Sequence, residues 1–142
     1  MHHSALFQPL RAGALELPNR ILMAPLTRTR AEPGHVPGDL IAEYYAQRAG
    51  AGLIIAEATM VIEGHSAFIR EPGIYSAAQV EGWKKTTDAV HAAGGRIVLQ
   101  LWHGGRACHP ILNGGAQPVA PSAIPITSDH VHTPEGKKDY VV

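Results

Sequence analysis

The 142 residues are enough for one ordinary domain with its own core, and 45% hydrophobic with 17% charged residues is a globular composition. Twelve basic side chains offset twelve acidic ones, so no basic stripe favours a nucleic-acid partner held through its phosphates. No apolar run reaches the ~20 residues of a membrane helix, no basic-then-apolar leader opens the sequence, and the single Cys108 excludes an intrachain disulfide framework, so a reducing compartment, the cytoplasm, is the expected location.

Along the chain, three short apolar runs alternate with two amphipathic segments. The first run is Arg20 to Ala24, closed by Pro25. The second is Leu53 to Ala56, preceded by Gly50-Ala51-Gly52. The third is Ile97 to Trp102, set between Gly94-Gly95 and Gly104-Gly105. All three are nearly continuous rather than alternating, as in strands buried on both faces. Asp39 to Ala49 reads as a helix, with Asp39 at the favoured N-terminal end and Gly50 placed for a left-handed cap. Ser76 and Gln79 have the spacing of a capping box, and Val80, Trp83, Thr87 and Val90 continue a helical face until Gly94.

Strand, helix, strand, helix, strand predicts parallel strands with right-handed crossovers, either in an open doubly wound sheet or in a (β/α) barrel. No strand runs through a Gly-x-Gly-x-x-Gly turn into a helix, which removes support from the dinucleotide-binding open sheet. Residues 107–142 are rich in Pro, Gly, Ser, Thr and His and read as a long loop or hairpin; His130-Val131-His132 alternates, and Glu135-Gly136 suits a turn. Three strands and two helices leave faces uncovered, so the fold is expected to need more chain.

In a barrel the strand ends carry the chemistry. They deliver Pro25-Leu26-Thr27, Glu57-Ala58-Thr59, and Gln100, Trp102 and His103. Gln100 is expected to be a buried amide, serving either as a structural hydrogen bond or as a reader of a planar group with mixed donors and acceptors. Thr27 is read as a turn cap or a ligand contact, Trp102 as core or pocket wall, and Phe68 as a lid residue or an ordinary anchor. Glu57 is expected to be a buried partner of Arg28 or Arg106 before it is a base. His103, Cys108 and His109 lack metal-ligand spacing, so no metal is expected, and His130 and His132 are read as a solvated pair.

Four blocks in register resemble the old yellow enzyme family. They are Asn19 to Arg28, Glu43 to Ala49 with Ala51 to Ile55, Glu57-Ala58-Thr59, and Gln100 to His103 with Gly105-Arg106. Pro72 to Ser76 and Pro118 to Ser122 add to them, and the nearest likeness is to the N-ethylmaleimide and pentaerythritol tetranitrate reductase branch. The resemblance implies that 1–142 is the N-terminal part, about three βα units, of a single FMN-binding (β/α)8 barrel domain, with 107–142 at its C-terminal face. It implies an enzyme that reduces carbonyl- or nitro-activated alkenes with NAD(P)H by a ping-pong route through flavin N5. Pro25, Leu26, Thr27, Ala58 and Gln100 match flavin-contacting positions, and Phe68 and Trp102 match positions lining the substrate pocket. Relatives carry tyrosine where this chain has Phe68, which removes a hydroxyl. The family's substrate-binding pair, proton donor and phosphate loops follow the third strand, so no catalytic acid is expected in this chain and the remainder of the barrel, as a second chain, is the expected partner. The competing expectations are a flavin-free barrel hydrolase or lyase using Glu57 and His103, and a non-catalytic assembly module.

Overall fold

Parallel pairing builds the frame of the molecule, for which the computed structural model describes residues 4–141. A small antiparallel hairpin, β1 (Leu10–Ala12) and β2 (Leu15–Leu17), comes first. Then β3 (Leu22–Met23), β4 (Leu53–Met60) and β5 (Ile97–Trp102) pair side by side in that order, all parallel. Helices α1 (Asp39–Ala46) and α2 (Ala77–Ala92) are the two crossovers. A second antiparallel hairpin, β6 (His130–Thr133) and β7 (Gly136–Asp139), follows, with Glu135 at its turn and Gly136 at φ 103°.

The expected elements are present, with shifted limits. The first strand is only two residues long: it pairs with β4 through Leu22 and Met23, and Pro25 has no N–H to extend the ladder. The second runs on to Met60, because the chain beyond it returns and Gly73 bridges Met60 in parallel. The third spans Ile97 to Trp102 as expected. The N-terminal hairpin was not foreseen; its turn at Gly13, φ 61°, lies in the short run Ala12-Gly13-Ala14, which carries no Asn-Gly or Asp-Gly signature.

The caps divide in the same way. Ser76 accepts from the Gln79 N–H, and Gln79 Oε1 accepts from the Ser76 N–H, so the predicted capping box forms and α2 ends at Gly94, φ 79°. For α1 the start at Asp39 is as expected, and the C-terminal cap is corrected. Gly38 is the N-cap and no side chain caps it; Asp39 sits in the first turn and pairs with Lys85 of α2. Gly50 is not left-handed, because the helix has already tightened at Gln47 into three-residue turns, Arg48 N–H to Tyr45 and Ala49 N–H to Ala46.

Two faces of the sheet meet different surroundings. Toward the helices, Ile54 and Ala56 of β4 join Ala31, Ile41, Tyr45, Trp83 and Val90 in one buried cluster, with Met23, Ile97 and Leu99 packed against it. Each fully buried Ile or Val there contributes roughly 1.5–3 kcal/mol. On the opposite face Leu22 and Val98 are 48% and 41% exposed. Leu101, beyond the reach of α2, is 65% exposed. Among the described residues nothing pairs with the outer edge of β5. Parallel sheets are covered on both faces, so this concave side is an interior without its lid.

Candidate functional site

Strands β4 and β5 run on together to Met60 and Trp102, while β3 stops earlier, at Met23. Met23 lies beside Ile54 across a ladder rung, and Ile54 beside Ile97. Following the strands forward, Ala58 stands opposite Gln100 and Met60 opposite Trp102, with a register shift between Ile55 and Ala58. The extra residue absorbed by that bulge re-aims the end of β4. Pro25, Leu26 and Thr27 leave β3 at the same end. Pro25 and Thr27 are half-buried, Leu26 is exposed and Ala58 is buried.

Gln100 is exposed, and the expectation of a buried amide is corrected. Along β5, Ile97 and Leu99 turn toward the helices, so Val98, Gln100 and Trp102 share the concave face. That face is open, so the amide meets solvent. The donor set nevertheless suits a planar heterocycle. Gln100 offers an N–H and a carbonyl, Thr27 a hydroxyl, and Pro25, Leu26 and the small Ala58 offer flat apolar backing.

Glu57 is buried, as expected, and of the two arginines named Arg28 reaches it, through its main chain and not as an ion pair. Its Oε2 accepts the main-chain N–H of Arg28 at 2.9 Å, and its Oε1 accepts the Tyr45 hydroxyl at 3.2 Å. Tyr45 Oη in turn accepts the Glu57 N–H at 2.7 Å. Neither the Arg28 guanidinium nor Arg106 pairs with it: Arg28 sits 5.2 Å over the Tyr44 ring, and Arg106 donates to Ile124 O and Ser122 Oγ. Burial raises both the Glu57 carboxyl and the Tyr45 phenol above their ordinary values. This carboxylate anchors the chain one residue beyond Thr27. Turned toward α1, it is no partner for His103, whose Nδ1 accepts the Gly105 N–H, and a hydrolytic Glu57–His103 pair is not formed.

At the β5 end, the Phe68 and Trp102 rings lie 6.0 Å apart with their planes 31° apart. Two sequence-distant segments hold Phe68. Asn113 donates to Ser66 O and accepts the Ser66 N–H, pinning the loop after β4 to the loop after β5. Glu71, wholly buried, accepts from Ser66 Oγ, Ala67 N–H and Phe68 N–H at 3.0, 3.0 and 3.3 Å. Burial pushes the Glu71 carboxyl up to about 7, and burial beside Glu71 pushes the Cys108 thiol up to about 11. Sequence reasoning missed Glu71, Tyr45 and Asn113 as supports. Arg70-Glu71-Pro72 reads as a surface charge pair, and no periodicity crosses a loop.

The remaining histidines do not converge on a metal. Among the described residues, no three His, Cys, Asp or Glu side chains form a cluster that could hold one. His130 is exposed and pairs with Asp139 at 2.8 Å across the β6–β7 hairpin.

The family model described as NADH:flavin oxidoreductase / NADH oxidase matches residues 5–138. A flavin oxidoreductase of Emericella nidulans is 49% identical over 127 residues, 86% of this chain and 33% of that protein. A probable flavin mononucleotide-dependent alkene reductase of Leishmania infantum is 47% identical over 123 residues, 86% of this chain and 34% of that protein. Among solved structures, the old yellow enzyme homologue from Zymomonas mobilis superposes with a TM-score of 0.90 at 54% identity, over 96% of this chain and 38% of its own. Morphinone reductase in complex with tetrahydroNAD gives 0.88 at 48% identity, over 97% and 39%. The chain spans about a third of the length of the curated relatives it matches. Its β–α–β–α–β frame is the N-terminal part of the old yellow enzyme barrel.

Proposed function

The chain belongs to the NADH:flavin oxidoreductase / NADH oxidase family, and on that premise we propose that it supplies one side of the FMN site of an NAD(P)H-dependent ene-reductase. The observation that carries the reading is the meeting of Pro25-Leu26-Thr27, Ala58 and Gln100 at one end of three parallel strands, with Gln100 beside Ala58 in the ladder. FMN and NAD(P)H are the cofactors of this family.

FMN, when bound, would supply hydride transfer between NAD(P)H and an activated alkene. The protein's part is to bind and bias the ring. Gln100 would hold the ring through its amide, Thr27 through its hydroxyl, and Ala58, Pro25 and Leu26 would bound it. Glu57 and Tyr45 hold the Thr27 segment in place through the Arg28 N–H. Phe68 and Trp102 wall the substrate side. Nicotinamide and alkene use that one place in turn, in ping-pong order, so no separate dinucleotide fold is needed.

The substrates proposed are alkenes conjugated to a carbonyl or nitro group, in the manner of the N-ethylmaleimide and pentaerythritol tetranitrate reductase branch. That reading is supported by the name of the Leishmania infantum relative and by threonine at position 27. The chain contributes no proton donor in this scheme. Residues 1–142 form the N-terminal part of a single barrel domain, 107–142 lie at its C-terminal face, and the remainder of the barrel completes the site.

A visible absorbance spectrum of the purified material, taken with intact mass, tests the reading. The expected result is a flavin spectrum from material that contains the whole barrel, of which this chain is about a third. Material that stays colourless with FMN and the rest of the barrel added overturns it.

A further inference from the structure

Glu71 stands behind the Phe68–Trp102 wall and, among the described residues, forms no ion pair. Its Oε2 gathers three donors, from Ser66 Oγ, Ala67 N–H and Phe68 N–H. Its Oε1 is buried with no hydrogen-bond partner among the described residues, and so is Trp102 Nε1. Both orphans belong to this support behind the wall, and the Trp102 indole is among the groups that act on the Glu71 carboxyl. An indole N–H can only donate and an ionised carboxylate can only accept, so each is the other's natural partner. A buried carboxylate is costly to keep unless converging donors hold it. Here the donors include the main chain of Phe68, and the unpartnered indole N–H belongs to Trp102.

We propose that Glu71 is a positioning residue for substrate acceptance, tying the Phe68 main chain and the Trp102 indole into one aromatic wall whose spacing it sets from behind, without touching the substrate. The inference rests on reading Phe68 and Trp102 as walls of the alkene pocket. Ser66 and Asn113 belong to the same support. The single Ser66 hydroxyl proton is shared between Glu71 Oε2 and Phe68 O, the latter at 2.7 Å, and Asn113 fixes Ser66 at both its N–H and its carbonyl.

Glu71→Gln separates the two ties. The amide oxygen still accepts from Ala67 and Phe68, while the amide NH2 turns a donor toward the Trp102 N–H. The test uses the complete FMN-loaded enzyme at pH 8, with 2-cyclohexenone as the alkene and 15N-labelled indoles as reporters. The Trp102 indole cross-peak is expected to move while that of Trp83, bonded to Gly73 O on the far side of the sheet, stays. The KM for the enone is expected to rise on the order of fivefold, the value of one lost hydrogen bond, with kcat changing less. Ser66→Ala removes a single donor and is expected to act in the same direction more weakly, which keeps the test open if Glu71→Gln does not fold. An unmoved Trp102 peak, or an unchanged KM, in a variant that retains FMN overturns the inference. A wild-type enzyme that binds no FMN overturns the parent reading instead, and this one with it.

Discussion

A hydroxyl beside an electron-rich ring stabilises the charge that the ring acquires on reduction. Thr27→Ala is therefore expected to slow flavin reduction and to speed its reoxidation by alkene, each by roughly fivefold for one lost hydrogen bond. Stopped-flow traces of the two half-reactions measure this, and two unchanged rates remove Thr27 from the site. Glu71 offers a second residue-scale outcome through linkage. Its carboxyl, with an ordinary value of 4.5, is raised to about 7 by burial in the folded state. The folded protein therefore holds this proton more tightly than the unfolded chain does. The associated stability is fully present below pH 4.5 and is lost as pH rises through 7, by on the order of 3 kcal/mol if the whole shift is realised. Glu71→Gln lacks this dependence. The difference in Tm between wild type and variant is expected to move in the variant's favour from pH 5 to pH 8, and a constant difference would place the titration elsewhere.

At the scale of elements, α2 and the segment before α1 are in close contact. A Cβ built on Gly82 would stand 2.4 Å from Pro37 O and 3.0 Å from Pro37 Cδ. In an exposed helix interior, Gly→Ala gains about 1 kcal/mol of propensity. Here the neighbour is main chain and cannot swing aside, and overpacking of this kind costs about 1–3 kcal/mol. The clash wins, so Gly82→Ala is expected to lower the urea midpoint, with the slope of the transition unchanged. A raised midpoint would show that α2 slides freely on the Pro37 turn. That turn matters to the site. Gln79 Nε2 donates to Gly34 O, Trp83 Nε1 donates to Gly73 O, and the Gly73 N–H donates to His35 O, which joins α2 to the loops on both sides of it. Local signals made α2 legible: a Ser-x-x-Gln cap, one apolar face and a glycine stop. These tertiary ties had no local signal, since each joins residues ten or more positions apart.

The whole molecule presents a sheet with helices on one side and solvent on the other. Leu22, Leu26, Val98 and Leu101 stand out from the uncovered regions, and β5 has a free edge. Such an edge and such a patch favour association. The 142-residue chain alone is therefore expected to bind the dye ANS strongly, and addition of the remaining barrel portion to abolish most of that signal. Weak dye binding by the chain alone would mean that these residues find cover within it. The same openness explains why Gln100 was misjudged from sequence. An amide within Ile-Val-Leu-Gln-Leu-Trp looks buried because five apolar neighbours surround it in sequence, but its exposure depends on strands that this chain does not contain.

By itself, the sequence determined the order and type of the elements between Leu22 and Trp102. Apolar runs, capping spacing and glycine stops act over a few residues, and the backbone responds to them locally. It also marked the strand-end residues proposed for the flavin site, through blocks that resemble the family to which the chain belongs. Only the tertiary structure decided what supports those residues: the Glu57–Tyr45 anchor behind Thr27, the Glu71 cage behind Phe68, and the Asn113 clasp between two loops. A buried carboxylate is specified by donors arriving from distant parts of the chain, and that convergence exists only once the chain has folded.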